Sequence, residues 1–222
     1  MPNALEESLV HVTAGRVTLE GNLTVPDAAR GVVLFAHGSG SSRHSPRNCL
    51  VARHLNAAGH ATLLIDLLTA SEEDAERYTR HLRFDIGLLV ERLLGATEWL
   101  ETSTPALPIG YFGASTGGGA ALVAAAEAPD RVAAVVSRGG RPDLAGEALG
   151  RVRAATLLIV GGDDEPVIEM NEWALERLSS SVKKLVIVPG ATHLFEEPGT
   201  LEEVARLAGD WFTQFLVRES AR

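Results

Sequence analysis

Residues 110–120 read GYFGASTGGGA, a serine held between glycines, behind an apolar run and ahead of an alanine-rich stretch. The pattern is G-x-S-x-G, written here Gly113-Ala114-Ser115-Thr116-Gly117. A sharp strand-to-helix turn at this point would drive Ser115 toward positive φ and lift its side chain clear of a sheet. Glycine at both flanks avoids a Cβ that would strike the neighbouring strand or helix. The helix start behind the turn would supply backbone N–H groups and a partial positive charge for a developing oxyanion. A serine also caps helices well, so the turn alone leaves two readings, and the rest of the chain has to separate them.

Short β-branched and leucine-rich runs alternate with longer amphipathic ones, the rhythm of strand and helix units around a parallel sheet. Strands are expected at 16–25, 31–37, 61–68, 109–114, 132–138, 155–161 and 183–189. Helices are expected near 47–58, 83–101, 116–128, 167–179 and 200–217. Several strands are apolar on both faces, which requires helices above and below. RVTLEGNLTVP (16–26) alternates instead and ends at Pro26, reading as an antiparallel edge strand. The charged stretch 68–85 is expected as a loop or a short helix over the sheet edge. Connections are short and no linker or repeat interrupts them, so residues 1–222 are expected to form one α/β domain.

A serine hydroxyl needs a base, and the base needs a partner that fixes its tautomer. VPGATHLFEEPG places His193 after the last strand, and LLIVGGDDEPV places Asp163 and Asp164 just past the strand before it. The order serine, aspartate, histidine, each at the C-terminal end of a parallel strand, is where open α/β sheets build their sites. His11, His54, His60 and His81 carry no such context and are expected to be solvated. LFAHGSGSS (34–42) follows another strand. Its small residues let a backbone N–H approach a substrate carbonyl, with Ser39 as the candidate donor beside the N–H of Thr116. His37 lies at the wrong place in the chain order for the base and is expected to order this loop.

Composition narrows the partners. Among 222 residues 45% are apolar and the net charge is −9, which disfavours binding to a phosphate backbone. The opening MPNALEESLV has no basic segment followed by an apolar core. No stretch approaches the roughly 18 apolar residues of a membrane span. A soluble cytoplasmic protein is expected, acting on a small molecule without nucleic acid or membrane; oligomeric state is left open. One cysteine, Cys49, permits no internal disulfide and no thiolate metal site, and no metal or cofactor is expected.

HGSG, GASTG, GGDD and GATH together resemble the α/β-hydrolase superfamily and, within it, the dienelactone hydrolase family, from about residue 16 to the final helix. The resemblance implies a mainly parallel eight-stranded sheet with helices on both faces and little or no lid. It also implies a Ser-Asp-His hydrolase. Founding dienelactone hydrolases carry cysteine at the elbow, whereas this chain has Ser115, and Cys49 sits outside the elbow in an expected helix. The family's acid stands three residues after the glycine that ends its strand, which implies Asp164 over Asp163.

These readings make the chain a cofactor-free serine hydrolase of small carboxylic esters or lactones. The alternative is a hydrolase fold used as a ligand sensor or interaction module. Arginines cluster in SSRHSPRN (Arg43, Arg47), YTRHLRFD (Arg80, Arg83) and SRGGRPD (Arg138, Arg141). Either they pair with Asp66, Asp85 and Asp143 to hold loops, or Arg43 and Arg138 bind an anionic substrate as guanidinium forks.

Overall fold

The computed structural model describes residues 5–79, 81–104 and 107–217. The β-branched runs become the middle of an eight-stranded sheet: β3 (Val32–Ala36), β4 (Ala61–Ile65), β5 (Ile109–Ala114), β6 (Val132–Arg138), β7 (Ala155–Gly161) and β8 (Lys183–Val188). These six are parallel. Every residue of β3, β4, β5 and β7 is buried, as continuous apolar sequence demands of strands covered on both faces.

Two antiparallel strands complete the sheet in the order β1-β2-β4-β3-β5-β6-β7-β8. The expected edge strand is β2 (Val17–Thr24), and it is antiparallel as read, but it lies second from the edge, between β4 and β1. The edge is β1 (Glu7–Ala14), which the reading of the sequence did not anticipate. Its ESLVHVTA alternates, with Val12 and Ala14 buried and Leu9 60% exposed.

Helices α1 (Pro46–Ala57) and α6 (Thr200–Phe215) cover one face. Helices α3 (Ile86–Ser103), α4 (Thr116–Glu127) and α5 (Glu165–Arg177) cover the other. Ser45 caps α1 by accepting from the Asn48 N–H, with Pro46 at the first helical position; Asp85 caps α3 through the Leu88 N–H at 3.0 Å. The charged stretch forms helix α2 (Ala70–Thr79) and a 3₁₀ turn, Leu82–Phe84. Between β6 and β7 the chain makes two 3₁₀ segments within Pro142–Arg151, broken at Gly146. Among the described residues no inserted lid domain stands over the strand ends. Strand order reverses between β3, flanked by β4, and β5, so the crevice of the sheet opens where the loops after β3 and β5 part. No helix among the described residues is long and apolar enough to cross a membrane.

Candidate active site

Ser115 sits between β5 and α4 with φ 50° and ψ −121°, a conformation that costs a residue with a Cβ on the order of 1–3 kcal/mol. Its surroundings over-determine it. The Ser115 N–H donates to the Arg138 carbonyl at 3.2 Å, while its carbonyl accepts from Gly118 at 2.9 Å and Arg141 at 3.0 Å. A Cβ on Gly113 would come 2.6 Å from the Gly117 carbonyl, and one on Gly117 would run into the carbonyls of Ala36 and His37 at the end of β3. Both glycines are therefore required by close approach, as the motif predicts.

His193 lies in the loop after β8 and Asp164 just before α5. Ser115 Oγ and His193 Nε2 are 3.3 Å apart, and His193 Nδ1 is 2.7 Å from Asp164 Oδ2. An ionised carboxylate only accepts, so Nδ1 carries the proton and Nε2 is left to accept from the serine hydroxyl. Asp163 points elsewhere: its side chain is exposed and its N–H donates to Ala191. Glu197 ties the histidine loop by accepting from the Thr192 hydroxyl at 2.6 Å and the Thr192 N–H at 3.0 Å. Those bonds, the hydroxyl first, hold the Glu197 carboxyl below the usual range. Gly139, at φ 51°, passes beside the imidazole, where a Cβ would meet ring atoms at 3.5 Å. Glu197 and Gly139 escaped sequence reading because no local pattern marks them.

The loop after β3 abuts the elbow, with Gly38 packed against Ser115 Cβ. His37 Nε2 accepts from the Leu67 N–H at 3.1 Å, which puts the ring proton on Nδ1, and Nδ1 donates to the Gly38 carbonyl at 2.9 Å. Burial keeps this ring's pKa below the ordinary histidine value. Ser41 N–H donates to the same carbonyl at 3.1 Å. Two donors on one oxygen fix the Gly38–Ser39 peptide plane, and in a trans peptide the Ser39 N–H points the opposite way. Neither the Ser39 N–H nor the Thr116 N–H has an acceptor among the described residues. His37 thus orders the loop as expected.

The arginines divide. Arg43 is committed: its three guanidinium nitrogens donate to Asp66, to Glu20 at 2.6 Å and to Asn22 at 3.2 Å. The loop-anchor alternative therefore describes Arg43, and the substrate clamp does not. Arg141 forks onto Asp143. Arg83 pairs with Glu76 rather than Asp85, Arg47 reaches Glu196 at 3.1 Å, and Arg80 lies outside the described residues. Of the two proposed clamps, Arg138 has no carboxylate partner among the described residues and reaches only Asn48. Cys49 is half-buried in α1, its thiol pushed up by burial and pointed at the Arg43 carbonyl. A cavity of about 880 Å³ lies between the loops after β3 and β4, lined by Gly40, Arg43 and Arg47 among others and by none of Ser39, Ser115, Asp164 and His193.

A family described as the alpha/beta hydrolase fold matches residues 31–155. The chain belongs to the α/β-hydrolase family. A dienelactone hydrolase from Anabaena variabilis, solved by crystallography, is 64% identical to this chain, covers 96% of it along its own full length, and superposes with a TM-score of 0.94. The chain is therefore dienelactone-hydrolase-like in sequence and fold, as the motifs implied. Est1E from Butyrivibrio proteoclasticus shares the fold at 17% identity, covering 93% of this chain and 98% of its own, with a TM-score of 0.77. Two Mycobacterium tuberculosis proteins, provisionally named phosphoribosyl transferases, are 59% identical over 96% of this chain. The chain spans about half of their length, 47% in each.

Proposed function

We propose that this hydrolase cleaves small carboxylic esters or lactones by acyl transfer through Ser115. As Ser115 Oγ bonds to the carbonyl carbon, its proton passes to His193 Nε2 and the carbonyl electron pair moves onto oxygen. That oxyanion meets the N–H groups of Ser39 and Thr116. Collapse breaks the ester C–O bond, and the leaving alkoxide takes the proton from Nε2. Water then attacks the acyl-enzyme, giving its proton to His193, and Ser115 recovers a proton as the carboxylic acid departs. Asp164 keeps Nδ1 protonated and steadies the imidazolium formed twice per cycle. The steps balance with water alone.

The observation that carries this reading is the hydrogen-bonded line from Ser115 through His193 to Asp164. The name of the mycobacterial relatives describes proteins about twice this length, and a nucleophile with its base and a pair of free N–H groups are the parts of acyl transfer. The experiment is stopped-flow with a nitrophenyl ester together with labelling by a fluorophosphonate. A burst of one nitrophenol per chain and labelling confined to Ser115 are expected. A folded protein giving neither would instead favour the sensor or interaction module.

A further inference from the structure

Past the end of β6 the chain runs Arg138-Gly139-Gly140-Arg141, wedged against the elbow. The Arg138 carbonyl accepts from the Ser115 N–H at 3.2 Å, and the Arg141 N–H donates to the Ser115 carbonyl at 3.0 Å. Between them Gly139 passes the His193 imidazole. This short segment therefore touches nucleophile and base at once. Adjacent glycines leave its backbone free to move, so its geometry depends on what else holds it. The Gly139 N–H is tied to the Ile159 carbonyl at 2.7 Å. The Gly140 carbonyl is tied from another direction, by Asn171 of α5.

Asn171 Nδ2 donates to the Gly140 carbonyl at 3.1 Å and to the Val167 carbonyl, one helical turn back, at 2.7 Å. Val167 and Ile168 in turn donate their N–H groups to the Asp164 carbonyl at 3.0 Å, so this is the turn of α5 that carries the acid. Facing two carbonyls, the amide nitrogen is settled, because Oδ1 in its place would meet acceptors only. Asn171 has no exposed surface, and its Oδ1 is buried without a donor. An inward helix position ordinarily takes an apolar side chain, and an orphaned carboxamide oxygen is costly there. Leucine would avoid that cost but give Gly140 no donor. The bridge is what distinguishes asparagine.

We propose that Asn171 is a positioning residue of the triad, bridging the turn that bears Asp164 to the segment that seats Ser115, so that His193 can span both. The Ser115–His193 separation of 3.3 Å is already long for a hydroxyl hydrogen bond, and a slipping Gly140 would open it further. The role in turnover rests on the proposed function; the bridge itself does not.

Two replacements test it. Asn171→Ser retains a hydroxyl that can bond the Val167 carbonyl one turn back and removes only the bridge, while Asn171→Asp keeps the size and exchanges donor for acceptor. In each, kcat for a neutral nitrophenyl ester should fall about ten- to a hundredfold with KM within about twofold, since alignment and not binding is lost. Labelling of Ser115 by a fluorophosphonate should slow in parallel. The downfield proton NMR signal of His193 Nδ1–H should move upfield as its bond to Asp164 loosens, a change that a purely structural role would not produce. Should the buried carboxylate of Asn171→Asp prevent folding, Asn171→Ser decides. A folded Asn171→Ser protein with wild-type kcat, a loss carried by KM, or an unmoved imidazole signal would overturn the proposal. So would an Asn171→Ser chain that does not fold, because Asn171 would then hold the fold and not the triad. A wild-type protein that hydrolyses no ester and takes no fluorophosphonate, but whose His193 signal still moves in Asn171→Ser, would sustain the bridge and sink the esterase reading.

Discussion

At Ser115 the backbone conformation and the chemistry compete. The same φ of 50° that presents the hydroxyl is one that glycine adopts freely. Ser115→Gly should therefore abolish turnover, by on the order of a million-fold, while stabilising the fold by about 1 kcal/mol and raising Tm by about 2–4 °C for a chain of this size. Ser115→Ala should be equally inactive without that gain. Thermal melts of the two variants compare strain directly, and a Ser115→Gly protein no more stable than Ser115→Ala would remove strain from the account. The two adjacent acids separate as cleanly. Asp164 Oδ2 is 2.7 Å from the imidazole, so Asp164→Asn should cut kcat roughly ten-thousand-fold by favouring the wrong tautomer. Asp163→Asn leaves that bond in place and should stay within a few-fold of wild type. Rates ranked the other way would move the acid by one residue.

Where elements meet, packing decides. Gly95 in α3 lies against β1, and a Cβ there would stand 2.5 Å from Ala14 Cα. Alanine is better than glycine in a helix by about 1 kcal/mol, yet forcing a methyl group into backbone costs about 1–3 kcal/mol or more. Gly95→Ala should thus destabilise, seen as a lower denaturant midpoint; a gain would mean that β1 can yield. This contact also explains what the sequence could and could not disclose. The buried parallel strands are continuous β-branched runs, and the elbow, Asp164 and His193 follow strands, so order along the chain nearly suffices to assemble them. In β1 one face is exposed, Leu9 included, and its pairing with β2 depends on residues that no local pattern links. Helix α2 is the short-helix alternative expected for the charged stretch, and no apolar stripe could have decided it against a loop. Its inward residue is Glu76, a carboxylate with no exposed surface, so hydrophobic periodicity cannot find it. Glu76 collects the Arg83 guanidinium at 2.7 Å and the N–H groups of His81 and Leu82 at 2.9 and 2.7 Å, wrapping the 3₁₀ turn around a charge. Arg138 likewise looked like one of several loop arginines until burial set it apart.

Across the whole molecule the two ends of the sheet are put to different uses. The C-terminal ends of the strands carry the strained serine, the histidine loop and the free N–H groups, while the opposite end is locked by side chains such as His60, which enters β4 from α1. His60, expected to be solvated, is instead fully buried. Its Nε2 lies 3.2 Å from the Thr213 hydroxyl in α6, its ring meets Phe212 edge-on, and its Nδ1 is sealed without a partner. Burial first, then Arg30, lower its pKa to about 4, against about 6.5 in an unfolded chain. The folded state therefore disfavours the proton. Stability linked to His60 is complete above pH 6.5 and drains as pH falls from 6.5 to about 4. Burial would raise the Glu76 carboxyl, but Arg83, the turn amides and Thr79 overcome it and hold it at about 2. Its contribution is present above about pH 4.5, the ordinary glutamate range, and is lost toward pH 2. Acid should thus weaken the protein in two successive windows, the first before most carboxylates titrate. Denaturant unfolding across pH 8 to 3 separates them. His60→Gln should begin less stable at pH 8, through lost packing, and then decline less steeply than wild type between pH 6.5 and 5, the remaining decline coming from His37, whose buried ring is also held below the ordinary histidine value. Glu76→Gln should keep the wild-type decline in that upper window and lose the one below pH 4.5. A His60→Gln slope equal to wild type between pH 6.5 and 5 would assign the first window to another group.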